Sequence, residues 1–172
     1  MKNSFTPKIL LFFTALLFSV WFGSYITREV MVYQLFEPVN LDLKSIYNTQ
    51  NLVAVTTILL PAILTNIVTF PIFLLAFIAY ILFSKINIKK EGWLFIILIL
   101  VLITAPFELY LLSFIDLKIV QLITHSPSNL SEIIPLVRKR ITELSSFTLI
   151  EIFSYIGIIF LVIFKPLRKH EN

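Results

Sequence analysis

LVAVTTILLPAILTNIVTFPIFLLAFIAYILF, residues 52–83, carries no charged side chain. As a helix rising 1.5 Å per residue these 32 residues extend about 48 Å. A hydrocarbon core of ~30 Å needs only roughly 20 apolar residues. The segment therefore reads as one membrane crossing that tilts or kinks. Pro61 and Pro71 supply the kinks, because each lacks an N–H and its ring meets the carbonyl four residues back. A re-entrant pair of half-helices fits less well: no glycine or polar turn separates the two prolines, and irregular backbone at lipid depth needs a protein or water lining.

Three more intervals behave the same way. One lies between Lys8 and Arg28, one from Trp93 to Ile115 interrupted only by Glu108, and one from Leu144 to Phe164 interrupted only by Glu151. The predicted spans are about 9–27, 52–83, 93–115 and 144–164. Composition agrees: 58% of the 172 residues are hydrophobic and 14% charged, with a mean hydropathy of +0.94, against roughly 45–50% and 25% in soluble domains. The expected fold is all-α, a single integral membrane domain over residues 1–172 forming a four-transmembrane-helix bundle with up-down topology. The first interval resembles a signal peptide, but the bulky Trp21 occupies the position that a cleavage site near Gly23 needs small. An uncleaved first helix is expected.

Four crossings put both termini on one side. That side carries Lys2, Lys8, Lys85, Lys89, Lys90, Lys165, Arg168 and Lys169 against Glu91 and Glu171. The opposite side carries Arg28, Lys44, Lys118, Arg138, Lys139 and Arg140, balanced by Glu29, Glu37, Asp42, Asp116, Glu132 and Glu143. The positive-inside rule then predicts cytoplasmic termini in a bacterial inner (plasma) membrane. Two longer segments, about 28–51 and 116–143, face outward, and their mixed polarity suggests that they lie along the bilayer surface. Ser126-Pro127-Ser128-Asn129 is turn chemistry, and Asn129 to Glu132 has capping-box spacing. A helix from Leu130, bending near Pro135, is expected to run on into the fourth span.

Several function classes drop out. No cysteine is present, which excludes thiolate metal sites, iron–sulfur clusters and dithiol chemistry. A net charge of +4 without a basic, aromatic-studded face does not suit nucleic acid. His125 and His170 lie outside the spans and far apart, and no lysine falls within a span, so no cofactor or metal is expected. Glycine-rich phosphate loops, an HExxH helix and a GxSxG elbow are missing from the sequence.

What remains is a small set of polar groups in apolar surroundings. Glu108 and Glu151 are the acids inside the spans, and an intramembrane carboxyl is costly enough to count as a functional-site candidate. Glu108 precedes Asp116 by eight residues and Glu151 follows Glu143 by eight, which puts both ~12 Å inward on the outer side. Arg28 ends the first span with a stem long enough to reach that level. Arg140, Thr148, Glu151 and Tyr155 share a helical face, as Thr104 does with Glu108; Asn66 lies deeper on the second span. These residues predict a polar pocket in the outer half of the bundle. The expected function is an accessory subunit or small-ligand binding module, with membrane lipids, another membrane subunit or a second copy as partners. A proton- or cation-coupled small transporter using the glutamates is the alternative, and a membrane enzyme acting on a lipid or quinone the second. Structural glue competes with all of them, since polar contacts hold membrane helices together.

Overall fold

The computed structural model describes residues 5–84, 86, 88 and 91–167. Helix α1 covers Phe5–Tyr33, α2 Thr49–Ser84, α3 Gly92–Leu111, α4 Leu117–His125, α5 Leu130–Thr142 and α6 Ser145–Phe164, with a π-helical segment, Leu112–Asp116, joining α3 to α4. Among the described residues there is no strand; Phe36 and Leu43 form an isolated bridge. Four helical stretches are long and apolar enough to cross a membrane: Phe5–Tyr33, Thr49–Ser84, Gly92–His125 and Ser145–Phe164. Their outer faces are apolar as well, with Leu75, Phe114 and Phe153 each about two-thirds exposed, so these helices are hydrophobic all round. Lys2, Lys85, Lys89, Lys90, Arg168, Lys169 and His170 lie outside the described residues.

Aromatic contacts set the helix pairing. Phe18 meets Phe73 at 5.6 Å and Trp21 meets Phe70 at 4.6 Å between ring centroids, while the Ser24 hydroxyl donates to the Ala62 carbonyl at 3.1 Å. Contacts thus descend α2 as they climb α1. Thr104 with Tyr155 and Phe107 with Phe147 pair α3 with α6 in the same manner. Trp21 joins the two pairs through Tyr155, edge to face at 4.7 Å.

Helix α2 is continuous through Pro61 and Pro71. Two features differ from the sequence-based expectations. The third long apolar helix does not stop at Ile115 but continues through the π-helical segment to His125. Helix α5 ends at Thr142 instead of running into α6, because Leu144 takes a left-handed conformation with φ 60°. Pro135 sits inside an otherwise continuous α5. The capping-box residues bond each other, Asn129 Nδ2 donating to Glu132 Oε1 at 2.8 Å, with no side-chain cap on the backbone.

The segments expected along the bilayer surface contribute protein core on one face. Ile119 and Ile123 of α4 and Ile133, Val137 and Ile141 of α5 are buried with Val32, Leu35 and Leu59 at the ends of α1 and α2. Their apolar stripes recur at three- and four-residue spacing, as helical packing requires. This cap brings α5, and with it Arg140, over one end of the four long helices.

Candidate functional site

Beneath the cap five charged side chains form a closed network. Arg28 NH1 donates to Asp116 Oδ2 at 2.7 Å and NH2 to Glu29 Oε1 at 3.0 Å, with Glu108 Oε1 at 3.8 Å. Arg140 NH2 donates to Glu108 Oε2 at 2.8 Å and Nε to the same Asp116 Oδ2 at 3.3 Å, with Glu29 Oε1 at 4.0 Å. Each arginine therefore meets all three carboxylates, and no side chain of the five is more than 6% exposed. Burial opposes the charge on Arg140, but Glu108, then Asp116 and Glu29, outweigh it and raise its pKa above the ordinary arginine value.

The π-helical segment makes this convergence possible. Glu108 and Asp116 are eight residues apart, and at about 100° per residue a straight α-helix would turn Asp116 about 80° away from Glu108. A π-bulge absorbs one residue, leaving the two within about 20° of one face. Glu29 and Asp116, assigned by sequence to solvated outer segments, are thus interior groups. The run Arg138-Lys139-Arg140 divides: Arg138 lies 3.6 Å from Asp42 and Lys139 3.6 Å from Glu143, both substantially exposed, while Arg140 turns inward.

A second polar layer lies below. Glu151 is fully buried, and neither of its carboxyl oxygens has a hydrogen-bond partner. The Tyr25 hydroxyl faces it, and Trp21 Nε1 and both amide atoms of the buried Asn66 have no hydrogen-bond partner. The Arg28 guanidinium stacks over the Tyr25 ring at 5.3 Å. Tyr155 and Thr104 bond each other at 3.0 Å, and Thr148 is buried one turn before Glu151. All eight residues singled out from the sequence are interior. The structure brings Arg28, Arg140 and Glu108 into direct contact, leaves Glu151 outside their ion pairs, and closes the group instead of opening it into a pocket. A buried polar group without a partner costs about 1–3 kcal/mol. Glu151→Met is accordingly expected to raise the melting temperature in detergent, and a fall would show that the carboxyl is firmly held.

The large cavity lies at the other end of the bundle. About 550 Å³ in volume, it is lined by Leu11 to Ser19 of α1, Phe73 to Tyr80 of α2, Trp93 to Val101 of α3 and Ile158 to Ile163 of α6. The hydroxyls of Thr14 and Ser19 donate to their own helix at Leu10 O and Ala15 O, so the walls present hydrocarbon. Polar groups gather at one end, where Trp93 Nε1 donates to the Glu91 carboxylate and the Lys165 ammonium sits 5.5 Å from the Trp93 ring centroid. The lining residues Leu11, Ile159 and Ile163 are exposed, so the cavity opens sideways between α1 and α6. No sequence signal marked it, because it arises from volume left between four helices. No family model, curated protein or solved structure matches the chain.

Proposed function

We propose that this chain is an integral membrane ligand-binding module, acting alone or as an accessory subunit. Four spans alternate in direction, the charged network closes the outward end, and the cavity receives one small, largely apolar ligand. The observation that carries the reading is the cavity, whose volume of about 550 Å³ falls within the ~300–1,000 Å³ of small-molecule sites. In lipid the hydrophobic effect does not hold helices together, so packing and polar contacts must. The network supplies those contacts at one end and leaves the other free to stay hollow. The positive-inside count places the Lys165 end in the cytoplasmic half of a plasma membrane, which moves the ligand site inward from the outer half that the sequence suggested.

The test uses a long-chain alcohol bearing a diazirine, crosslinked to the protein in nanodiscs and mapped by mass spectrometry. Adducts on Phe77, Tyr80 and Trp93 that excess unlabelled alcohol removes, and that Ala15→Phe reduces several-fold, are expected. Adducts confined to outward residues such as Leu75 and Phe153, uncompeted, would contradict the reading.

One observation favours a second role, proton exchange with the outer space. Glu151 is a buried carboxyl without a hydrogen bond, beside three carboxylates that share only two arginines. A metal cation fits less well, since among the described residues no group of acids and histidines is arranged to hold one. Under this role Glu151→Gln abolishes proton flux into dye-loaded liposomes while the bundle stays folded, because an amide matches the shape and cannot ionise. Wild-type liposomes without flux would remove it.

A further inference from the structure

We propose that the occupant of the cavity is an acyl chain bearing an anionic head, a carboxylate or phosphate, with the head at Lys165 and the chain running toward Val101. This deepens the ligand-binding reading and rests on it. The distribution of polarity is the first argument: the walls are hydrocarbon over their length, and Glu91, Lys165 and Tyr80 meet at one end. An amphiphile with one polar end matches that layout. A compact apolar solute would leave the polar end unused, and a uniformly polar ligand would strip the walls.

Charge is the second argument. Lys165 makes no ion pair among the described residues and is held over the Trp93 indole, whose N–H is given to Glu91. Among the described residues lining the mouth, Lys165 is the cation, and the Glu91 carboxylate beside it is engaged by the indole N–H. A cation–π contact of this kind steadies the lysine while its head stays at the rim.

Entry is the third. Exposed Leu11 and Ala15 on α1 face exposed Ile159 and Ile163 on α6 across the opening, at the level where acyl chains of a surrounding bilayer would lie. From Trp93 to Val101 the chamber is about 12 Å long by helical rise, enough for part of one chain, with the remainder leaving through the side. Moving a chain from bilayer to cavity barely changes its solvent, since lipid tails are as apolar as the walls. The tail therefore supplies fit, and the head supplies preference. A free fatty acid and an anionic phospholipid with one chain inside share this chemistry.

Trp93 provides the readout. The sequence has two tryptophans, so Trp21→Phe leaves Trp93 as the sole emitter. The full chain with this change, in phosphatidylcholine nanodiscs at alkaline pH, is titrated with a mid-chain brominated fatty acid, the matching bromo-alcohol, and phosphatidylglycerol with a brominated chain. Saturable quenching by the acid at about tenfold lower concentration than the alcohol is expected, with the gap closed by Lys165→Gln and kept by Lys165→Arg. Quenching by the brominated phosphatidylglycerol identifies a phospholipid as a source, and quenching by the acid alone identifies the free fatty acid; both support the proposal. Equal quenching by acid and alcohol, reduced by Ala15→Phe, overturns the anionic head and leaves the ligand-binding reading standing. No saturable quenching by any probe, or quenching indifferent to Ala15→Phe, overturns both.

Discussion

Arg140→Leu is expected to cost the folded protein about 3–5 kcal/mol, the range for removing one partner from a buried ion pair. The loss follows from what stays behind. Glu108 Oε2 and Asp116 Oδ2 lose donors at 2.8 and 3.3 Å, and both carboxylates are fully buried. For a chain of this size each kcal/mol corresponds to roughly 2–4 °C, so unfolding in detergent should fall by on the order of 10 °C. The neighbouring Lys139→Leu is the control: its partner Glu143 is 3.6 Å away and both side chains are partly exposed, and such pairs contribute only ~0.2–1 kcal/mol. Equal losses from the two variants would contradict the network. The count of three carboxylates to two guanidiniums also predicts an asymmetry. Glu29→Gln should cost far less than either arginine, because it removes the excess negative charge and keeps an acceptor.

Trp21→Ala is the second large effect, expected at about 3 kcal/mol, the lower end of the ~3–5 kcal/mol found for large aromatic truncations. Trp21 is fully buried, with ring centroids of Phe70, Tyr155 and Tyr25 at 4.6, 4.7 and 5.5 Å. It touches α2 and α6 together, so its loss opens a void where the two helix pairs pack. The lower end applies because exposing these walls to lipid costs less than exposing them to water, while the lost packing remains lost. Trp21→Phe should keep most of the contact. A loss below about 1 kcal/mol for the alanine variant would mean that the pairs are joined elsewhere.

The four long apolar helices were legible because charge-free length is a one-dimensional property that can be read directly from the sequence. Glu108 and Glu151 were legible for the same reason, as charges inside apolar stretches, and Arg28 and Arg140 through reach and helical spacing. Glu29 and Asp116 were not. Their burial depends on the third helix passing Ile115 and on a π-helical segment turning Asp116 back toward Arg28, and neither has a compositional mark. The packing of α4 and α5 on the other helices was not legible, because an amphipathic stripe looks alike whether protein or lipid covers it. The cavity was invisible in principle, being set by how far α1 and α2 stand from α3 and α6.

Every magnitude above takes four helices to cross a bilayer with the charged network toward the outer face. The chain has no cysteine, so a single introduced thiol is the only site for a maleimide. Val39 and Ser128 are exposed in the connections after α1 and α4, and Ile88 lies between α2 and α3. In intact cells a membrane-impermeant maleimide should label Val39→Cys and Ser128→Cys, and should reach Ile88→Cys only after permeabilisation. Labelling of Val39→Cys and Ile88→Cys from the same side, or of Val39→Cys and Ser128→Cys from opposite sides, would contradict the four-span arrangement.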